Sequence, residues 1–465
     1  MRYHRIYNSL LAAAIIAGCS GGERPAEDNA IESGQETELA DEVEARRRGA
    51  LTYHLDPAGI FANYSTKGQF DEDNEFFANL GTNGRSCATC HRLEDGLGLT
   101  TWTIQRLYYK TRGRDPLFAV VDAATRPDAD VSTEAARQKA YGLLLNRGVF
   151  RISLPMPQNA EFTLESIEDP YNFSTPENMS LYRRPLPAAN TKFVAGTAIM
   201  WDGREPDLGS QANTATLGHA QASGPLTQEQ KQRIVDFETN VFTSQVVVWG
   251  LGRVSPAGGG PINLSKQPFV IGENALPLPR NPRNTNSFNL FEEWTDVSDR
   301  AQQAVRRGEV IFNSRSIGKN PLGQTAFCTS CHSSFNQGGN DFPAPGAFAN
   351  IGSSGGGPAL LPGTNAERFL SKELPIYTFK NIATGATTQV NDPGRALISG
   401  KWLDIGRFKV PTVRNLGSHA PYFHNGSMKT LMDVVVFYDL TLAQPAGVPF
   451  TEQEKLDLVA FLQSL

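Results

Sequence analysis

The chain has 465 residues, of which 40% are hydrophobic and 20% are charged, so it can form two or three cored domains and is not disordered throughout. Its 43 Lys and Arg and 48 Asp and Glu give a formal net charge of −5, and there is no basic block, so we expect no nucleic-acid partner. No apolar run reaches the ~18 residues that a membrane-spanning helix needs.

Residues 1–18 have the pattern of an export signal, with two early arginines before the apolar run Leu10–Ala17. The segment Ile16-Ala17-Gly18-Cys19 resembles the lipobox of bacterial lipoproteins, in which the Cys becomes the first residue and is acylated. Ser20 in the next position resembles the residue found there in lipoproteins that are sorted to the outer membrane. We therefore expect lipidation of Cys19 and a position on the periplasmic side. The alternative is an ordinary cleaved signal with Cys19 merely nearby.

Residues 19–50 are rich in Gly, Glu, Asp and Ala and contain few large apolar residues. This composition is typical of a flexible tether. A lipid chain followed by a tether would hold the protein at a membrane without spanning it. The lipid anchor is then the only expected contact with the membrane.

Two C-x-x-C-H motifs carry the remaining four cysteines, namely Cys87, Cys90 and His91 in the first and Cys328, Cys331 and His332 in the second. Cysteines three residues apart lie on one side of a helical turn, so both thiols can add to one haem, and the next His can bind its iron. Zinc and a redox disulfide are the alternatives, but the seven histidines supply no clear second ligand pair. The motifs predict two covalently bound haem c groups.

An internal repeat supports one haem in each half. Trp201-Asp202-Gly203-Arg204 follows the first motif and Phe423-His424-Asn425-Gly426 follows the second, each with a Leu five residues after its Gly. Further on, Thr227 and Thr451 each open a capping box that precedes an amphipathic segment. Such a helix, packed on the haem-bearing segment, is what a small cytochrome fold needs.

The fold class that follows is mainly α, with two cytochrome c-like haem domains, long loops and little β. We place the N-terminal haem domain, with an insertion, at residues 51–290 and the C-terminal one at 291–465. Asp299 or Ser298 could cap the first helix of the second domain. The best strand candidate is Gln245–Trp249.

In these motifs the chain resembles the bacterial di-haem cytochrome c peroxidase/MauG superfamily. The segment Phe408–Asn415 and the box Ala420–Gly426 complete the resemblance, which covers most of residues 75–465. It implies that peroxide or oxygen reacts at the N-terminal haem and that the C-terminal haem stores or relays an electron. It also implies that Trp201 lies between the two haems.

The resemblance further implies a distal ligand about a dozen residues after the second box, which is Tyr438 here. The equivalent residue of the first half is Ala215, which cannot bind iron. The metal ligands would then be His332 and Tyr438 at the second haem and His91 alone at the first, leaving that iron open. Four other side chains are rival ligands: Met428, Met432, His419 and His424.

The peroxidases carry a distal Glu as acid–base group, and Gln221 aligns with it. Cleavage of the peroxide O–O bond needs a proton to move between the oxygens, which Gln cannot do. His219, two residues earlier, could replace the Glu or could itself bind the iron, so ordinary cytochrome c peroxidase turnover is not assured. The family's calcium is a further candidate cofactor, although its Thr is replaced by His419 and its Asn has no clear counterpart.

The sequence therefore predicts a periplasm-facing di-haem oxidoreductase. Its expected partners are peroxide or oxygen and an electron-donor protein, such as a small cytochrome or a cupredoxin. Oxidation of a side chain in a protein substrate is a further possibility of the MauG resemblance. The alternative from another class is a membrane-tethered electron carrier without substrate chemistry.

Overall fold

The computed structural model describes residues 40–254, 258–269, 287–319, 325–340, 348–358 and 366–465. The expected signal, Cys19 and most of the tether lie outside these residues. The chain divides into two units, Met1–Glu44 and Ala45–Leu465, and the first is described only from residue 40 onward, where it is helical. Among the described residues, no helix combines the length and the apolarity that crossing a bilayer requires.

Twelve α-helices lie between residues 87 and 463 of the described chain, and most are short. In chain order they are α1 Cys87–Cys90, α2 Thr101–Thr111, α3 Val120–Ala123, α4 Glu134–Ala140, α5 Gly142–Arg147, α6 Leu208–Gly218, α7 Gln228–Thr239, α8 Pro261–Lys266, α9 Arg300–Ser314, α10 Ala396–Ser399, α11 Leu431–Tyr438 and α12 Glu452–Gln463.

Thirteen strands lie between residues 51 and 409 of the described chain. They are β1 Leu51–Leu55, β2 Gly59–Ser65, β3 Phe150–Leu154, β4 Phe162–Glu168, β5 Met179–Arg183, β6 Val241–Val248, β7 Gly252–Arg253, β8 Gly318–Lys319, β9 Thr325–Ala326, β10 Phe348–Ala349, β11 Ile376–Asn381, β12 Thr387–Val390 and β13 Phe408–Lys409.

The strands form antiparallel sheets with the orders β1-β2-β6-β7, β12-β11-β4, β3-β5, β8-β9 and β10-β13. The expected strand at Gln245–Trp249 is largely confirmed, because β6 covers most of it. The expectation of a mainly α fold with little β is not confirmed. The insertion after the first C-x-x-C-H motif contributes β3, β4 and β5, and β4 pairs with β11 from the second half of the chain.

The internal repeat is visible in the helices. Leu208 and Leu431, each five residues after the Gly of its box, are the first residues of α6 and α11. The predicted capping boxes of Thr227 and Thr451 are both formed, and they open α7 and α12. Helix α6 packs on α7, and α11 packs on α12. Asp299 caps α9 through the backbone amides of its first turn, as predicted.

Each half has an aromatic core beside the His of its motif. In the first half, Phe76 packs against Phe237 of α7, and its ring centroid lies 6.3 Å from that of His91. In the second, Phe312 of α9 packs against Phe461 of α12 and lies 5.9 Å from His332. The same packing therefore supports the back of both histidine rings.

The crossing of α9 and α12 depends on Gly308. A Cβ atom at this position would lie 2.0 Å from the carbonyl oxygen of Asp457 in α12. Any larger residue would push the two helices apart. Glycine at this position therefore lets the core of the second half close.

Candidate functional site

The first C-x-x-C-H motif forms a single helical turn, α1, so that both thiols are carried by one turn. The Ser86 amide donates to Oγ1 of Thr89, which fixes the start of this turn. His91 follows directly, and its Nδ1 lies 3.2 Å from the carbonyl oxygen of Leu97. Burial lowers the pKa of His91 to about 4, so the ring is neutral. With the proton on Nδ1, the lone pair on Nε2 is available to a metal.

The second motif repeats this arrangement. Cys328–Ser330 form a 3₁₀ turn, and Nδ1 of His332 contacts the carbonyl oxygen of Gly338. In both halves, the acceptor is the carbonyl six residues after the His. Burial also lowers the pKa of His332. Both rings are therefore neutral and oriented by a backbone carbonyl.

The thiols are not arranged for a disulfide or a zinc ion. None of Cys87, Cys90, Cys328 and Cys331 forms a disulfide with another described residue. Burial raises the pKa of Cys87, Cys90 and Cys328 to about 12, so these thiols stay protonated in the unligated chain. Across the described part of the chain, no group of three His, Cys, Asp or Glu side chains could hold a metal ion. Because metals bind the thiolate, this environment disfavours metal coordination by these three thiols.

A cavity of about 320 Å³ opens over the first motif. Cys87, Cys90 and His91 line it, together with Trp201 and Ala215. Protein surrounds His91 on most sides. Its side chain is nevertheless only half-buried, because one edge of the ring faces this cavity. The small side chain of Ala215 leaves the cavity open on the α6 side.

Three buried cations on the cavity wall fit the carboxylates of a haem. Lys409, Arg414 and Arg184 line the cavity, and none of them forms an ion pair with another described residue. Burial lowers their pKa values to about 8, 9 and 10, respectively. Nε of Arg414 has no hydrogen-bond partner. Buried cations require anionic partners, and the propionates of a haem would supply them.

His219 lines this cavity and lies within ion-pairing distance of an Asp, a contact that the sequence did not suggest. Its Nδ1 is 2.6 Å from Oδ2 of Asp122, whose Oδ1 accepts from Arg85 at 2.6 Å. Burial raises the pKa of Asp122, but the hydrogen bond and charge of His219 and the charge of Arg85 outweigh it, so the net pKa is lowered. Asp122 is therefore ionised and fixes one edge of the His219 ring.

Gln221 lies apart from this group. Helix α6 ends at Gly218, and the backbone turns at Gln221 with φ +54°. The side chain is exposed, its Oε1 lies 3.4 Å from Nδ2 of Asn83, and it does not line the cavity. Of the two residues proposed from the sequence as acid–base groups, the fold brings only His219 to the first motif.

Hydrogen bonds to the backbone fix Trp201 between the cavity of the first motif and the region around the second motif. Its Nε1 donates to the carbonyl oxygen of Arg184 at 2.9 Å, and its own carbonyl oxygen accepts from the amide of Lys409 at 2.8 Å. Two residues after Lys409, the backbone of Pro411 lies beside the ring of His332. A short stretch of chain therefore connects Trp201, at the first cavity, with the second motif.

A buried ion-pair cluster fixes the box that contains Trp201. Arg183 contacts Asp392 at 2.6 Å and Asp202 at 2.5 Å, and Asp202 also contacts Arg204 at 2.9 Å. Arg183, Asp202 and Asp392 are each almost fully buried. Burial raises the pKa of Asp202, but the two arginines outweigh it, and the carboxylate is ionised.

Tyr438 lies in the second site. Burial, followed by the nearby Cys331 and Cys328, raises its pKa. No group in the described part of the chain hydrogen-bonds with its hydroxyl, whereas the buried hydroxyls of Tyr141 and Tyr377 donate to backbone carbonyls. Tyr438 is the eighth residue of α11, and Ala215 is the eighth of α6. The repeat therefore places a free phenol at one site where the other has a methyl group.

The rival histidines occupy different positions. The ring of His424 stacks on Phe408 at 3.8 Å and meets the edge of Trp201 at 6.2 Å, which is a packing position. His419 lines the first cavity, with Nδ1 near the carbonyl of Asn415 and no partner for Nε2.

Near His419, which stands where the family's calcium site has a Thr, the chain places a cation of its own. The Arg184 guanidinium donates to the carbonyl oxygens of Leu99, Arg147 and His419. These are the kinds of oxygen that Ca²⁺ prefers. A fixed positive charge here disfavours a second cation.

Sequence reasoning missed Asp122, Arg85, Lys409, Arg414 and Glu238. Glu238 of α7 lines the cavity, and its Oε2 has no hydrogen-bond partner. Burial raises the pKa of Glu238 to about 8. Arg85 lies two residues before Cys87, and Lys409 and Arg414 lie in the segment Phe408–Asn415 that carries the resemblance, so these three had a positional signal. Asp122 and Glu238 reach the site from distant segments.

Comparison with known proteins gives the chain's relatives. No protein-family model matches it. It is 32% identical to cytochrome-c peroxidase IdrP2 of Denitromonas iodatirespirans over 62% of this chain and 69% of that protein. It is 38% identical to cytochrome-c peroxidase IdrP1 of Pseudomonas sp. (strain SCT) over 57% of this chain and 64% of that protein, which is less than two thirds of its length. Methylamine utilization protein MauG of Methylophilus methylotrophus is 24% identical over 62% of this chain and 69% of MauG.

The likeness to IdrP2 covers more than two thirds of that protein, at 32% identity, and both C-x-x-C-H motifs form a short turn. The chain belongs to the di-haem cytochrome c peroxidase/MauG family.

Proposed function

We propose that the chain is a di-haem c-type oxidoreductase that reduces peroxide or oxygen at the site of Cys87, Cys90 and His91. Electrons reach this site from the second one, at Cys328, Cys331 and His332. A haem bound at each motif supplies an iron that changes oxidation state and, where a coordination position is open, binds the oxidant. For hydrogen peroxide, two electrons and two protons give two water molecules.

The observation that carries this proposal is the difference between Ala215 and Tyr438 at the same position of equivalent helices. The methyl group of Ala215 cannot bind a metal, so the first site keeps room for a small oxidant. The phenol of Tyr438 can close the second site. Burial raises the pKa of Tyr438, so a phenolate there requires a bound cation such as ferric iron.

His219 is the acid–base residue in this proposal. Its Nδ1 is held by the ionised Asp122, so Nε2 is the ring atom that can exchange a proton with a ligand in the cavity. This pair replaces the carboxyl group that the peroxidases carry where this chain has Gln221. The exposed position of Gln221 argues against a proton-transfer role for it.

Trp201 is the relay in this proposal. It lines the first cavity, and Lys409 and Pro411 connect its backbone to the surroundings of His332. The buried Arg183 cluster keeps the loop that carries Trp201 in one conformation. Electrons passing between the two sites therefore have an aromatic ring and a short path through backbone and hydrogen bonds available.

The proposed setting is the periplasmic side of the outer membrane, with Cys19 as lipid anchor. The support is the sequence of residues 1–20, with its early arginines, apolar run and lipobox-like segment. A small cytochrome or a cupredoxin is the proposed electron donor. Such a donor would reach the protein by diffusion in the same compartment.

The test is a titration of the reduced holoprotein with hydrogen peroxide and, separately, with carbon monoxide, followed in the Soret band. We expect carbon monoxide to bind one of the two haems and peroxide to oxidise both. Two closed haems that respond to neither ligand would contradict the proposal and leave a tethered electron carrier.

A further inference from the structure

The wall of the first cavity contains a buried carboxyl group that no described residue pairs with. Of the described acids, Asp122 and Glu238 line this cavity. Asp122 is held by His219 and Arg85, whereas Glu238 is 6% exposed, forms no ion pair with a described residue and has no hydrogen-bond partner for Oε2. Burying a polar group without a partner destabilises a fold. A carboxyl group in this position therefore needs a reason other than packing.

The internal repeat shows which residue packing alone would place here. Phe237 of α7 and Phe461 of α12 are equivalent, because each packs on the aromatic residue beside the His of its motif. Glu238 and Leu462 follow them, and each is the eleventh residue of its helix. Leu462 is buried in the hydrophobic core of the second half. The first site thus has a carboxyl group where the second has an aliphatic side chain.

Glu238 lies close to the first thioether position. Burial raises the pKa of Cys87 to about 12, and the charge of Glu238 adds to this effect, so the carboxyl group is near that sulfur. Because Glu238 also lines the cavity, a proton can pass between it and a water molecule or ligand there. The carboxyl group is therefore both close to the haem position and accessible from the cavity.

Few charged groups face Glu238 from the elements around it. Helix α6 and strand β6, which pack on α7, contain no titratable side chain. Lys192, in the turn that packs on α7, donates to a backbone carbonyl at the surface, and Glu75 pairs with Arg233 on the exposed side of α7. Burial alone raises the pKa of Glu238 from 4.5 to about 8. A charge that appears in the cavity would therefore act on Glu238 with little compensation.

A bound haem changes its charge by one unit when its iron is oxidised or reduced. The additional positive charge of the oxidised state favours the carboxylate of Glu238, and reduction favours the protonated carboxyl group. The coupling is reciprocal, so ionisation of Glu238 favours the oxidised haem by the same free energy. Because the pKa of Glu238 is already raised to about 8, this coupling would act near neutral pH.

We propose that Glu238 is the redox-linked proton site of the first haem, taking up one proton when this haem gains one electron and releasing it on oxidation. The proton comes from the cavity, so the net charge of the site stays constant. The inference requires a haem at Cys87, Cys90 and His91 but no reaction with peroxide. That the electron comes from the second site, and that the stored proton is one of the two that peroxide reduction consumes, rests on the function proposed above.

The experiment measures the midpoint potential of each haem in the holoprotein between pH 6 and 9, by spectroelectrochemical titration. At a fixed potential, the ratio of reduced to oxidised first haem should fall by up to about tenfold per pH unit in the wild type, as one proton per electron requires. Glu238→Gln should reduce this change to less than about twofold. Glu238→Asp keeps a carboxyl group and should retain a pH dependence, and Glu229→Gln, exposed on the same helix, should follow the wild type.

Infrared difference spectra of the reduced and oxidised wild type detect the proton directly and do not depend on the folding of a variant. Reduction should add the C=O band of a protonated carboxyl group and remove carboxylate bands. Glu238→Gln should lack both changes. A wild-type spectrum without this C=O band would overturn the proposal, as would equal pH dependence of the first haem in Glu238→Gln and the wild type.

Lys409 and His219 are the other groups of the cavity to compare, since both line it and burial lowers the pKa of Lys409 to about 8. Loss of the pH dependence in Lys409→Gln or His219→Ala, but not in Glu238→Gln, would assign the proton to that residue and overturn the proposal. The potentials also separate this inference from the proposed function. A pH dependence that requires Glu238, in a protein that reacts with neither peroxide nor carbon monoxide, would support the proton site and contradict the proposed function.

Discussion

Nδ1 of His219 lies 2.6 Å from Oδ2 of Asp122, although 97 residues separate them in the chain. Arg85 contacts the other carboxylate oxygen, so Asp122 has one oxygen for each neighbour. The imidazole is therefore held in a fixed orientation at the first cavity. The first prediction follows from this pair.

His219→Ala should slow the reaction of the reduced holoprotein with peroxide by about 10²- to 10⁴-fold, because the proposed acid–base residue would be lost. Asp122→Asn should slow it less, because the ring stays but loses its orientation. Stopped-flow absorbance in the Soret band measures both rates. Gln221→Ala is the control and should react like the wild type. Normal rates for His219→Ala would exclude the acid–base role.

Tyr438→Phe should convert the second haem from a six-coordinate to an open or differently ligated state, because Phe cannot bind iron. Electron paramagnetic resonance of the oxidised protein and carbon monoxide binding measure this change. Tyr377→Phe is the matched control, since Tyr377 is buried and donates to the carbonyl of Ser180. An unchanged spectrum for Tyr438→Phe would show that another residue is the ligand.

Glu238→Gln should make stability less dependent on pH. Burial raises the pKa of Glu238 from 4.5 to about 8, so the folded protein holds a proton that the unfolded chain releases. Stability that is present below pH 4.5 is therefore lost as the pH rises to 8. The loss is on the order of 4 kcal/mol in the wild type.

The measurement is thermal unfolding of the holoprotein between pH 5 and 8. The unfolding temperature of Glu238→Gln should rise relative to that of the wild type as the pH rises. Glu229→Gln, exposed on the same helix, should follow the wild type. Parallel pH curves for Glu238→Gln and the wild type would mean that the carboxyl group is ionised in the folded protein.

Arg183→Ala should destabilise the fold by about 3–5 kcal/mol, because Asp202 and Asp392 would lose their shared partner while buried. Denaturant unfolding measures the loss. Arg407→Ala removes a more exposed pair with Asp404 and should cost about 1 kcal/mol or less. Equal effects of the two variants would show that the buried cluster contributes no more to stability than the more exposed pair does.

The helices of the internal repeat could be predicted because their signals are local. The capping boxes at Thr227 and Thr451 and the cap at Asp299 each depend on residues three positions apart, and all are formed. Both C-x-x-C-H motifs form the expected turns for the same reason. The Leu five residues after each Gly is the first residue of α6 and of α11.

The sheets and half of the site could not be predicted, because they depend on distant partners. The sequence of β4 has no strong strand signal of its own, and it becomes a strand by pairing with β11. Alignment led to His219 through its neighbour Gln221, but nothing near either residue pointed to Asp122. Arg414 and Lys409 became visible as haem partners only when their burial without an ion pair was known.

The β4–β11 pairing has a consequence for dividing the chain. Strand β11 lies between β12 and β4 in its sheet. Cutting the chain near residue 290 would remove β4 from one edge of β11 and leave backbone amides unpaired there. Bare strand edges attract other strands and promote aggregation. The two haem regions should therefore be insoluble when produced alone, and co-production of both fragments should restore a soluble complex.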